Sequence, residues 1–136
     1  MKRKILVFAV VVCLIVCTIP AQAVEPRWTN TMKIVLAQDF YYNEGVYCYV
    51  EIVGHSFATS IQNVDIILSK QVGTEWVEVA SWLDNSSDSN EFLCEVVADD
   101  LRAGDVVGQT FRLSVTADVY AGNVVEQVES YYDSEY

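Results

Sequence analysis

A chain of 136 residues with 19 acidic residues against eight basic ones, a formal net charge of −11 and 52% hydrophobic residues has room for one ordinary domain. Its acidity argues against nucleic acid and against anionic membrane as partners, because both need basic patches. With a single histidine, no Cys-x-x-Cys, no His-x-x-x-His and no glycine-rich phosphate loop, it offers no catalytic residue, no metal set and no cofactor motif to assign.

The N-terminus differs from everything after it. Lys2, Arg3 and Lys4 precede an apolar run from Ile5 to Ile19, followed by Pro20 and the small-x-small tripeptide Ala21-Gln22-Ala23. A basic head, a short apolar centre and an A-x-A exit are the parts of a secretory signal, so residues 1–23 are expected to be cleaved and residues 24–136 to be released outside the cell. The apolar run, at about 15 residues, is short of the ~20 that span a bilayer, with an uncleaved N-terminal anchor as the alternative; no second apolar run follows, so no membrane association is expected after cleavage. A lipoprotein signal ending at Cys17 is disfavoured, because Val16 is bulky where a small residue is needed. Loss of the three N-terminal cations leaves five basic residues against 19 acids, a net charge of −14. Such a charge keeps a chain soluble and also suits a cationic partner.

After Ala23 the apolar residues recur with period two, and no sustained 3.6-residue stripe is present. Seven strands are expected. The first covers about 31–39, with Met32, Ile34 and Leu36 on one face. Phe40 to Gly45 turns the chain. The second, Val46 to Val53, sets Val46, Cys48, Val50 and Ile52 inward and Tyr47, Tyr49 and Glu51 outward. Gly54-His55-Ser56 ends it, and His55, without a motif around it, reads as a solvated loop residue. The third, about 61–71, turns Val64, Ile66 and Leu68 inward. Val72-Gly73-Thr74 leads into the fourth, Glu75 to Leu83, on which Trp76 and Trp82 share parity.

The all-polar stretch 84–90 reads as a surface loop. Asp84, Ser86, Asp88 and Asn90 alternate there, with Glu95 eleven residues after Asp84. That spacing resembles a calcium loop but has Ser89 where glycine is required, so a polar hairpin loop is expected instead. The fifth strand, Glu91 to Val97, puts Phe92, Cys94 and Val96 on one side, and Asp99 to Gly104 turns. The sixth, Gln109 to Tyr120, alternates most cleanly. Ala121-Gly122-Asn123 makes a hairpin into the seventh, about 124–131. Tyr131, Tyr132 and Tyr136 then read as an exposed acidic tail.

Seven half-buried strands at this spacing predict an antiparallel β-sandwich of immunoglobulin or fibronectin type. Strands two and five are neighbours in that arrangement, which brings Cys48 and Cys94 onto one inward face and makes a disulfide between them an expectation; two buried free thiols are the alternative. The Trp and Tyr side chains give the one hint of a ligand. Trp76, Trp82, Tyr47 and Tyr49 are the candidate binding residues, since an exposed ring face on a sheet matches the apolar face of a sugar.

Several short motifs point beyond this reading. Arg27-Trp28-Thr29-Asn30, Cys48 in a β run, Gly54, Trp76…Val79…Ser81-Trp82, Phe111-Arg112-Leu113-Ser114-Val115-Thr116-Ala117 and Tyr120-x-Gly-Asn resemble a family of small secreted β-sandwich proteins from Gram-positive, largely clostridial, bacteria. The resemblance implies fold and address and brings no assigned activity. Phe111 stands where tyrosine is expected, and Cys94 is an extra. The expectation that follows is a non-catalytic extracellular module with a protein or glycan ligand. A carbohydrate-binding module and a structural or surface-assembly protein are the alternatives.

Overall fold

The computed structural model describes residues 28–136, and the secretory-signal expectation lies outside them. Seven strands form: β1 (Thr31–Tyr41), β2 (Gly45–Gly54), β3 (Ser60–Val72), β4 (Glu75–Ser87), β5 (Glu91–Ala98), β6 (Thr110–Ala121) and β7 (Val124–Glu135). They make two antiparallel sheets, one in the order β1-β2-β5 and one in the order β4-β3-β6-β7. Period two explains the stacking. Val46, Cys48, Val50 and Ile52 of β2 and Phe111, Leu113, Val115 and Val119 of β6 are all fully buried, so the alternate side chains of two sheets share one dry interior. Each such side chain contributes roughly 1.5–3 kcal/mol on burial.

Gly45 fixes the entry to β2. Its φ of +117° lies in a region that side-chain-bearing residues avoid, and an added Cβ would sit 2.2 Å from the Ala98 carbonyl oxygen. Glycine is required there both for the turn and for the close approach of β2 to the end of β5.

Two polar clips close the side of the sandwich where β1 meets β7. The Glu126 carboxylate accepts from the backbone N–H groups of Thr29, Asn30 (2.9 Å) and Thr31 (2.9 Å), while Asn30 Nδ2 donates to the Val119 and Val124 carbonyls. Further along, Gln38 Nε2 donates to the carbonyls of Phe111 (3.2 Å) and Tyr132 (2.9 Å). Burial opposes ionisation of Glu126, but the hydrogen bonds from Thr29, Thr31 and Asn30 outweigh it and hold the carboxyl below its ordinary range.

Four sequence expectations are corrected. The polar stretch 84–90 is not all loop: β4 runs to Ser87, with Asn85 beside Val64 and Ser87 beside Ile61, because hydrogen bonding to β3 outweighs weak strand propensity. The turn near residue 104 contains one helical turn, α1 (Ala103–Val106), whose Val106 is fully buried. The C-terminal tail is ordered into β7 through Glu135. Tyr136 packs edge-on against Phe40 (6.3 Å) and Phe111 (6.0 Å), and its hydroxyl donates to Gln38 Oε1 at 3.3 Å.

The fourth correction concerns the cysteines. Both lie on the inward face of adjacent strands, as expected, but Cys48 pairs with Val96 and Cys94 with Val50, and both thiols are free. A two-residue slip makes them diagonal rather than directly opposed. Diagonal partners stand about 7–8 Å apart, beyond the usual disulfide span.

Candidate functional site

The four aromatic residues singled out in the sequence do not form one patch. β4 and β3 are out of step between Leu68 and Ser69: Leu68 pairs with Ala80, Ser69 with Glu78, and Val79 is the extra residue. Such a bulge flips the parity of the residues beyond it. Trp82, paired with the buried Ile66, therefore packs inward against the core, whereas Trp76, paired with Gln71, turns to the outer face. The shared parity of Trp76 and Trp82 in the sequence is broken by a single residue.

On the outer face of the four-stranded sheet, Trp76 meets a side chain of the same domain. The Arg112 guanidinium lies 4.2 Å from the Trp76 ring centre and 4.0 Å from that of Tyr131. Its Nε and Nη2 donate to the two oxygens of Asp133 at 2.7 and 2.8 Å. The hydrogen bond from Arg112 holds the Asp133 carboxyl below its ordinary range, and the same bond raises the Arg112 pKa. Ring, cation, ring and carboxylate are thus satisfied among themselves, a planar guanidinium being suited both to stacking and to a forked carboxylate.

The outer face of the three-stranded sheet is different. The inward turn of Ile34, Leu36, Gln38 and Phe40 sends Asp39 and Tyr41 of β1 outward, and the inward turn of Val46, Cys48 and Val50 does the same for Tyr47 and Tyr49 of β2. Cross-strand register sets Asp39 beside Tyr47 and Glu95 beside Tyr49. With Glu44 from the β1–β2 turn, these residues line a cleft of about 380 Å³. Tyr41 and Tyr47 meet edge to face with ring centres 5.1 Å apart, and the Tyr47 hydroxyl donates to Glu44 Oε2 at 3.1 Å. That hydrogen bond, reinforced by the charge of Glu44, raises the Tyr47 pKa. Tyr47 and Tyr49 are thus brought together as expected. Tyr41, Asp39, Glu44 and Glu95 join them without having been picked out from the sequence. Tyr41 fell in a presumed turn, and the acids are too common in this chain to stand out; only cross-strand register selects them.

A second depression, of about 420 Å³, lies on the four-stranded sheet beside Asn63, Asp65, Asp118 and Glu129. It has no aromatic ring, and Asn63 Nδ2 already donates to Asp118 Oδ2 at 2.8 Å. Among the described residues no three His, Cys, Asp or Glu side chains converge as a metal site would require. His55, at the end of β2, stacks on the exposed Phe57 with ring centres 5.4 Å apart.

No family model and no curated protein matches the chain. Among solved structures, the sporulation control protein Spo0M from Bacillus subtilis aligns over 80% of this chain at 15% sequence identity with a TM-score of 0.45. The chain spans 51% of Spo0M, about half its length.

Proposed function

We propose that the chain is a secreted, non-catalytic binding protein whose contact surface is the outer face of the three-stranded sheet, centred on Tyr41, Tyr47 and Tyr49. One observation carries this reading: three tyrosines and three carboxylates from three strands and a turn converge on one open cleft. Rings are large contact areas with few rotatable bonds, and clusters of them beside polar groups are what binding surfaces are made of. The N-terminal signal pattern supports export, and the motif resemblance to small secreted clostridial proteins agrees with it.

The strand order favours the fibronectin-like form of the sandwich. In constant-type immunoglobulin domains the fourth strand pairs with the fifth, whereas here β4 pairs with β3 in the sheet of β6 and β7. The outer face of β1-β2-β5 is consequently a narrow three-stranded surface, with Tyr47 and Tyr49 on its middle strand.

The test is a paired glycan and peptide array probed with the purified protein and with a Tyr47→Ala/Tyr49→Ala variant of unchanged circular dichroism. Ligands retained by the parent and lost by the variant support the reading. Ligands retained equally by both, or none for either, overturn it.

A further inference from the structure

We infer that the tyrosine cleft recognises a cationic side chain, lysine or arginine, of a basic peptide segment. The inference rests on the proposed binding face and adds the chemistry of its ligand. It is carried by a comparison between the two outer faces of this molecule. On the four-stranded sheet, Trp76 and Tyr131 supply rings, Asp133 a carboxylate, and Arg112 the cation that satisfies both. On the three-stranded sheet, Tyr41, Tyr47 and Tyr49 supply rings and Asp39, Glu44 and Glu95 supply carboxylates, but among the described residues the cleft is lined by no lysine, arginine or histidine. Lys33, beside Val53 on the same face, is bound to Glu51 at 3.0 Å, outside the cleft lining.

The half-set is chemically specific. The negative face of an aromatic ring attracts a cation within about 6 Å of its centre, and a carboxylate beside it adds a charged hydrogen bond. A neutral sugar gains the ring contact but does not discharge three neighbouring carboxylates. An acidic ligand is repelled by them and by the net charge of −14 that remains once residues 1–23 are removed. A basic segment gains from every component of the cleft. The open shape of the site, on a sheet face rather than in a closed pocket, suits a side chain presented by a peptide.

The decisive measurement is isothermal titration of the purified protein with tetralysine amide, and with the same peptide acetylated on every amine as the uncharged control. Two double variants remove the same charge from different places: Glu44→Gln/Glu95→Gln in the cleft, and Glu75→Gln/Glu78→Gln on β4 of the other sheet. Tetralysine is expected to bind, the acetylated peptide not to bind, and added salt to weaken the complex. The cleft variant should lose about tenfold or more in affinity, the β4 variant less than about twofold, and Tyr49→Ala about threefold. Equal losses in the two double variants would reduce the attraction to overall charge and overturn the inference. Equal binding of the acetylated peptide would overturn it too. If tetralysine fails to bind while array ligands still depend on Tyr47 and Tyr49, the binding face survives and its cationic specificity falls. If the arrays are also empty, both fall.

Discussion

Replacing Glu126 by glutamine should loosen the whole N-terminal edge of the domain. The carboxylate accepts three consecutive backbone N–H groups, from Thr29, Asn30 and Thr31, and Asn30 and Thr31 are each only 2% exposed. A hydrogen bond to a charged acceptor contributes about 1.5–3 kcal/mol, and a buried donor left without a partner costs about 1–3 kcal/mol. Glutamine keeps one oxygen as acceptor but presents an NH₂ to a row of donors, so about 2–3 kcal/mol is the expected loss, with solvent reaching Thr29 limiting it. The assay is urea unfolding followed by fluorescence, since Trp28 rests against the core just before the clip. The effect has a pH signature. The folded carboxyl titrates below the 4.5 of the free group, so its stabilising contribution is complete above that value and is lost as pH falls through the lower, folded pKa. Glutamine does not titrate, so the gap between parent and Glu126→Gln should be constant from neutral pH to about 5 and should close at lower pH. A gap below about 0.5 kcal/mol at neutral pH, or one that persists unchanged in acid, would refute the role given to Glu126.

Three other outcomes follow from the packing. Gly45→Ala should cost more than about 3 kcal/mol or prevent folding, because its Cβ would lie 2.2 Å from a backbone oxygen at a φ of +117°; a thermal midpoint within a few degrees of the parent would contradict this. Burial pushes the Tyr136 phenol from 10.0 up to about 12, so its contribution is intact below pH 10 and is lost as pH rises through 12; absorbance titration should show this late phenol, and Tyr136→Phe should flatten the alkaline decline in stability. Burial likewise pushes the Cys48 thiol up to about 12, and Cys94 is only partly covered, so a thiol reagent should modify Cys94 first and Cys48 only on unfolding; an intact mass two hydrogens below that of the dithiol form would refute free thiols.

The strands were legible because burial on one face writes itself into the sequence every second residue. Val46 to Ile52 and Phe111 to Val119 alternate without interruption, and their boundaries shift by no more than a residue or two between expectation and structure. What the alternation could not show was any place where a strand gains a residue. Val79 is apolar and lies between Glu78 and Ala80 in an ordinary strand-like run, so nothing in its identity marks it as unpaired; only the register against Leu68 and Ser69 does. The order of the tail is hidden in the sequence for a related reason. Tyr136 is polar-tipped and terminal, and its burial depends on Phe40, Gln38 and Phe111, which lie far away in the chain. Two of the six residues of the candidate site are readable, since Tyr47 and Tyr49 belong to a clear alternation. Asp39, Tyr41 and Glu95 reach them through pairings of β2 with β1 and β5 that sequence spacing does not encode.

The bulge at Val79 also bears on which face is left to bind. Without it, Trp76 would keep the parity of Trp82 and point into a core already filled beneath Leu68 by Phe111 and Leu113. Because of it, Trp76 emerges opposite Gln71 and within reach of Arg112, and the four-stranded sheet acquires a closed stack of two rings, a guanidinium and a carboxylate. A face whose cation, rings and acid are mutually satisfied gains little by meeting a partner, because each contact made outside replaces one made inside. Among the described residues the cleft on the three-stranded face is lined by no cation that plays this part for Tyr41, Tyr49, Asp39 or Glu95, so a cation from outside displaces no internal one. The proposed recognition role of the three-stranded face thus turns on the placement of one basic residue, Arg112, on β6 of the other sheet.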